Sequence, residues 1–366
     1  MFKSIIKFLF PATKKNNQPN YSYFEEDDNS AEKEQQNAID ALQTSLNIMP
    51  EKNASIEEKN QQAFYDYLFG ESTKTDQHDE LSLHVANKIQ TLLLHPKKIL
   101  ENLPILPVSL TRVIEQLNDD EFNTEVLIDL IQQEPVIAGK VIELANSSYY
   151  NRNNKNITDL QSAFMLLGAT GLMEGVINGF ISKLTPQSQI YFKQYGNKIW
   201  KHSLSTGVIA KKLINSSEHK HDAAQGYLIG LICNLGDMII YQLLMEAFSY
   251  VHPDCQPNSL AFKNLMVKNS KKITYHIAKH WNFPSSILDS LALQAKLTKS
   301  SMLGSVFIKR PIGCYIYEAN IISELELMFK DKKIDNTAII DGKNFLVFSN
   351  EAKKYLDNLL CKETQY

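Results

Sequence analysis

The chain has 366 residues, 43% hydrophobic and 22% charged, which is enough apolar material for one large or two ordinary globular domains with polar tails. A net charge of −3 and a pI near 6.3 give no general electrostatic case for nucleic-acid binding. The four cysteines, Cys233, Cys255, Cys314 and Cys361, lie far apart without a C-x-x-C pair, so reduced thiols and a cytoplasmic location are expected.

Residues 1–11, MFKSIIKFLFP, mix Lys3 and Lys7 with Phe2, Ile5, Ile6, Leu9 and Phe10. The run falls short of the roughly 20 apolar residues a bilayer span requires. It reads first as an apolar strip packed on its own protein, and second as a weak membrane association. Thr13 to Glu34 is polar, with the acidic run Glu25 to Asp28, and is expected to be a flexible, solvated linker. A helical extension follows over 35–99, in which Ile56 to Phe69 carries an AFYDYLF cluster. Leu81, Val85, Ile89 and Leu92-Leu93 line one face of a further helix.

From Leu103 the prolines of LPILP set a rigid entry, and successive helical stripes come after it. Thr124 is the expected N-cap of a helix through Ile131, and Pro135 suits the first turn of the next. Thr158 with Gln161 reads as a capping box for a helix closing at Leu167-Gly168. Gly226 to Leu244 is an apolar helical run interrupted by the polar pair Cys233-Asn234 and by Gly236-Asp237. Polar groups inside such a run need partners or a task. In the tail, Ile321, Leu325 and Phe329 share a helix face, and Leu346-Val347-Phe348 is a short strand or an apolar contact. Helices joined by short loops predict an all-α, multi-helix bundle.

Four motifs in register, LPILP, IQQEP (131–135), LANSSYY (144–150) and AFMLLG (163–168), resemble the first half of the HDOD (HD-related output domain) family. Trp200-Lys201-His202-Ser203, the GLICNLGDMII run and Trp281-Asn282-Phe283-Pro284 resemble its second half. The resemblance covers roughly 100–295 and implies an HD-like bundle whose superfamily uses a His-Asp pair to hold metal. At that pair this chain has Cys233 and Asn234. Ser270 and Gln294 stand where related domains often place histidines, and only His202 remains as a clear ligand. The resemblance therefore implies a degenerate metal site, with no cofactor, and a regulatory role in signal transduction of the bacterial type. His202 is read as a satisfied core histidine bonded to Asn234 or a carbonyl, and Cys233 as a packed, inert thiol.

His276 and His280 share a helix face at i, i+4, but without a third ligand they read as surface residues, as do His219 and His221. The candidate binding set is His202, Cys233, Asn234 and Asp237, with Asn146, Tyr149 and Tyr150 beside them. No Walker loop or dinucleotide glycine fingerprint is present. The expectation is a non-catalytic protein that works through a protein partner, or through an unknown small ligand, and not through nucleic acid. The competing readings are a phosphohydrolase with atypical ligands and, less favoured, a nucleic-acid-binding regulator. The expected divisions are 1–34, 35–99, 100–295 and a tail, 296–366, packed on the domain.

Overall fold

The structure, a computed structural model, describes residues 3–9, 55–72, 80–103, 124–132, 135–147, 150–151, 156–184, 190–251 and 259–363. The acidic run, most of LPILP, Tyr149 and Cys255 lie outside them. The described residues form helices and no strand. In chain order the helices are α1 (Lys3–Leu9), α2 (Ile56–Phe69), α3 (Glu80–Leu94), α4 (Lys97–Glu101), α5 (Thr124–Gln132), α6 (Pro135–Ala145), α7 (Leu160–Leu184) and α8 (Ile190–Asn215). They continue as α9 (Ala223–Ile232), α10 (Leu235–Val251), α11 (Leu260–His280), α12 (Ser285–Gln294), α13 (Leu303–Val306), α14 (Pro311–Lys330), α15 (Asn336–Asp341) and α16 (Asn350–Glu363).

Local chemistry sets most of these boundaries. Ser55 and Glu58 close a reciprocal capping box on α2: Ser55 N donates to Glu58 Oε2 at 2.8 Å, and Glu58 N donates to Ser55 Oγ at 3.3 Å. The start of α7 differs from expectation by one residue. Its cap is Asp159, whose carboxylate accepts from Ser162 N at 2.7 Å and Ser162 Oγ at 2.8 Å, in place of a Thr158–Gln161 box. A carboxylate with two acceptor oxygens takes both donors at once, which a threonine hydroxyl does not match. Gly168 breaks α7 with φ 66°, a left-handed conformation that costs glycine little. Leu346 and Val347 are buried contacts reached through a π-turn over Gly342–Leu346, not a strand.

Packing follows the apolar stripes. α8 lies along α9 and α14, α6 along α7, and α10 along α11. Tyr241, Phe69, Phe248 and Phe262 are the largest fully buried side chains. Phe69 stacks on Tyr241 at 5.4 Å between ring centroids, and Phe248 meets Phe262 edge-on at 5.0 Å. α1 spends its apolar side internally. Ile5 and Ile6 are buried, α1 packs on α10, and Lys88 Nζ donates to Leu9 O at 2.9 Å. The stretch Lys220–Phe248 is long and apolar enough to cross a membrane by composition, and its apolar window is wholly buried in the protein.

α2 is fastened to this core by an ion pair as well as by rings. Lys263 on α11, only 3% exposed, donates through Nζ to Asp66 Oδ1 at 2.5 Å, Gly70 O at 2.6 Å and Ser72 Oγ at 2.8 Å. On α14, Glu318 is fully buried and accepts from Phe348 N, Ser349 N and Ser349 Oγ at 2.6, 2.7 and 2.6 Å. That carboxylate fixes the entry to α16.

Candidate functional site

The break between α9 and α10 places Cys233 and Asn234 at the head of α10, where the backbone passes against α11. Gly236 permits the approach, since a Cβ there would lie 1.9 Å from Ser270 O. Thr274 Oγ1 closes the junction, accepting from Gly236 N at 2.8 Å and donating to Cys233 O at 3.2 Å. One residue beyond Ser270, the Lys271 side chain reaches over the break. Its Nζ donates to Asn234 Oδ1 at 2.5 Å, Asn320 Oδ1 at 3.1 Å and Cys233 O at 3.4 Å. An ammonium has three donors and no acceptor, and three oxygens meet it.

Two carboxyl groups lie in the field of that cation. Asp237, buried on α10, accepts from Tyr65 OH at 2.8 Å. Burial raises its pKa, opposed by the charge of Lys271. Glu324 on α14 is partly accessible as a residue, but its carboxyl end is enclosed. Asn60 Nδ2 donates to its Oε2 at 2.8 Å and Asn320 Nδ2 to its Oε1 at 2.7 Å. Burial pushes Glu324 up to about 8, with Lys271 working against the rise.

The sequence offered His202 either Asn234 or a carbonyl as partner, and its Nδ1 meets neither. Its Nδ1 lies 2.9 Å from Ser323 Oγ, and that hydroxyl donates to His202 O at 3.2 Å, which leaves Nδ1 as the donor in the ring contact. α14 turns Asn320 and Ser323 towards α8 because they sit three apart on one face, and α14 is the helix packed along α8. The Phe64 ring covers the imidazole at 4.6 Å. Burial, helped by Lys271, holds the His202 pKa at about 3, so the imidazole is neutral. Burial pushes the Cys233 thiol up to about 11, and its Sγ lies 3.2 Å from Gly230 O and 3.8 Å from Asn320 Oδ1. A thiol held protonated is a poor nucleophile.

The other sequence-selected residues fall elsewhere. Asn146 ties the end of α6 to the start of α7: Nδ2 donates to Ile142 O at 3.0 Å and Ile157 O at 2.7 Å, and Oδ1 accepts from Ile157 N at 2.9 Å. Tyr150, half-buried, packs against the core on the same side. Gln294 is turned away from Lys271 and donates to Gly313 O at 2.8 Å. His276 and His280 are exposed. Sequence reasoning missed Lys271, Tyr65, Asn320, Ser323 and Glu324. A signal existed for three of them, because Asn320, Ser323 and Glu324 repeat at i, i+3, i+4 within a largely apolar helix.

A hydrolytic centre of the HD kind needs imidazole and carboxylate ligands around an open coordination position. Here His202 supplies at most one imidazole nitrogen, Nε2, because Nδ1 donates to Ser323, Cys233 keeps its proton, and Asn234 and Asn320 offer neutral oxygens. Lys271 already places a positive charge among them. The residues present do not fit such a centre. Among the described residues, no three His, Cys, Asp or Glu side chains gather closely enough to hold a metal ion.

An all-helical bundle organised around a broken central helix is the architecture that the sequence motifs implied. Residues 103–297 match the HDOD domain, and the chain belongs to that family. An uncharacterized protein of Treponema pallidum is 19% identical over 202 residues, which is 54% of this chain and 38% of that protein's length. Among solved structures, an HDOD domain protein of unknown function from Geobacter sulfurreducens is 20% identical, with a TM-score of 0.48 over 63% of this chain and 76% of its own. A protein described as a phosphohydrolase, from Shewanella amazonensis, is 16% identical, with a TM-score of 0.49 over 73% of this chain and 93% of its own. α2 and α14, which supply Tyr65, Asn60, Asn320, Ser323 and Glu324, lie outside the matched residues.

Proposed function

We propose that this chain is a non-catalytic signal-transduction protein of a bacterial cytoplasm, and that it acts by contact with a protein partner. The observation that carries the reading is the Lys271 ammonium among Asn234 Oδ1, Asn320 Oδ1 and Cys233 O, where an HD enzyme would hold metal. A tethered cation of this kind preserves the packing of α8, α10, α11 and α14 while supplying neither an open coordination position nor an activated water. Family membership supports the regulatory half of the proposal.

His202, Cys233, Asn234 and Asp237 are 3%, 1%, 1% and 6% exposed, so their part in binding is to position helices. The contact itself falls to the surface that carries Asn146, which is exposed, and Tyr150. A small ligand is the narrower alternative, and it requires α2 to move off the site. In this proposal 100–295 is the recognition scaffold, while 35–99 and 296–366 complete it from either side.

Elemental analysis of the full chain purified without chelator, together with an assay on nucleotide phosphodiesters, tests the proposal. We expect no stoichiometric metal and no turnover. About one iron, manganese or zinc per chain, lost in His202→Ala together with phosphodiester hydrolysis, overturns it. With a partner in hand, Tyr150→Ala should weaken binding by about 2 kcal/mol if Tyr150 is a buried anchor, at unchanged circular dichroism.

A further inference from the structure

Away from the Lys271 cluster, the connection from α12 to α14 and the turn before α16 leave four large apolar side chains at the surface. Met302 is 39% exposed, Ile308 91%, Phe345 57% and Phe348 50%. They are held by the fold. The Phe348 ring lies 5.8 Å from that of Phe307, and its edge would meet a Cβ on Gly304 at 3.4 Å. Ser300 Oγ donates to Phe345 O at 2.5 Å, and the buried Glu318 carboxylate fixes Phe348 N. Residues 295–310 also carry Lys296, Lys299, Lys309 and Arg310, all exposed, with no acidic residue between them. An apolar centre flanked by these four cations, with the Glu57 carboxylate at one edge occupied by Ser300, fits a ligand that combines aromatic side chains with carboxylates.

Two observations identify the occupant. The first is charge. Tyr21 to Asp28, which lies outside the described residues, reads YSYFEEDD: three aromatic rings and then four consecutive acids, the complement of the patch in both respects. The second is attachment. Glu57 Oε1, in the first turn of α2, accepts from Ser300 N at 3.3 Å and lies 3.0 Å from Ser300 Oγ. The chain therefore enters α2 beside Ser300 and Phe345, at the edge of the patch. Only residues 29–54 separate the acidic run from that point. A coil of that length has an r.m.s. span of about 28 Å, which gives the tethered segment an effective concentration on the order of millimolar. On the other side, eleven residues, the number in 10–20, span at most about 40 Å, comparable with the roughly 41 Å twice-radius-of-gyration of a compact chain this long.

We propose that Tyr21 to Asp28 docks in cis on the Met302, Ile308, Phe345 and Phe348 patch. Its rings lie on the apolar centre and its carboxylates face Lys296, Lys299, Lys309 and Arg310. The proposal stands independently of the regulatory reading above, because it needs neither the Lys271 site nor an external partner.

Zero-length carbodiimide cross-linking of the full chain, mapped by mass spectrometry on a mixture of light and heavy isotope-labelled protein, tests it. The expected links join Glu25, Glu26, Asp27 or Asp28 to Lys296, Lys299 or Lys309 within one chain. They should fall at least about tenfold in Phe345→Ser/Phe348→Ser, which keeps every reactive lysine, and several-fold in Ile308→Ser, whose exposure removes any doubt about folding. Links to other lysines, or yields that ignore both variants, overturn the proposal. Light-to-heavy links would assign the patch to a second copy and also overturn it. So would sedimentation of the wild type with phosphatidylglycerol vesicles that Ile308→Ser abolishes while no intramolecular link forms.

Discussion

Two lysines eight residues apart on α11 show what a buried cation can be used for. Lys263 is enclosed, and its three donors meet a carboxylate, a carbonyl and a hydroxyl, all from the end of α2 or just beyond it. Lys271 also finds three oxygens, but none is charged, and the acids that balance it, Asp237 and Glu324, stand behind Tyr65, Asn60 and Asn320. Asn234 Nδ2 beside it has no partner. The first arrangement is a completed clamp between two helices. The second keeps the layout of an ion site after the ion's ligands have been replaced. A full complement of direct partners makes a charge structural, whereas charges held one residue apart leave their pKa values displaced.

The largest effect should come from breaking the clamp. Lys263→Met leaves Asp66 beside an apolar group and Gly70 O without its donor, and should cost roughly 3–5 kcal/mol in urea denaturation. Lys271→Met should cost about 1–3 kcal/mol, because Asp237 and Glu324 can take up protons, whereas Lys263→Met strips a carboxylate, a carbonyl and a hydroxyl of their direct partner. Equal losses from the two substitutions would erase the distinction.

pH sharpens the contrast further. The folded pKa of Glu324, about 8, lies above its ordinary value, so its contribution to stability is complete below about 4.5 and is lost as pH rises through 8. His202 has the opposite sign. Its folded pKa of about 3 is depressed, so its contribution is present above about 6.5 and is lost as pH falls towards 3. Lys271 on α11 faces both groups, and Glu324 also faces Asp237 on α10 and Tyr65 on α2. Glu324→Gln should flatten the stability profile between pH 5 and 8, leaving the acid limb in place. A profile unchanged in Glu324→Gln would remove Glu324 as its cause. The smallest effect is expected from Tyr65→Phe, about 1 kcal/mol at neutral pH, since it deletes one hydrogen bond of the second α2 attachment and keeps the ring. A loss as large as that of Lys263→Met would mean that the Asp237 side is the true clamp.

The sequence carried the helices well where local chemistry sets them. The polar interruption at Cys233-Asn234, the break at Gly168 and the start at Pro135 appear where residue type placed them. Asp159 captured the cap expected of Thr158 because two neighbouring residues both suit the position, and only geometry chooses between them. The dismantled His-Asp pair was visible, but its replacement was not. Lys271 lies 37 residues from Asn234 and 49 from Asn320, and on a helical pattern a lysine reads as a solvated face. The partner expected for His202 was Asn234 or a carbonyl, and its Nδ1 meets Ser323 because α14, beyond the resemblance, supplies that hydroxyl.

The placement of α2 and α14 bears on how this chain can be divided. The family match ends at 297 and begins at 103, yet the partners of Lys263, Lys271 and His202 include residues on both sides of those limits. Trimmed to the match, the chain would keep its motifs and lose the groups that neutralise its buried polar side chains. Phe69 and Phe64 would no longer cover Tyr241 and His202. Heredity and packing thus draw different borders in this molecule: the shared segment is a unit of descent, while the buried core runs from α1 through α16.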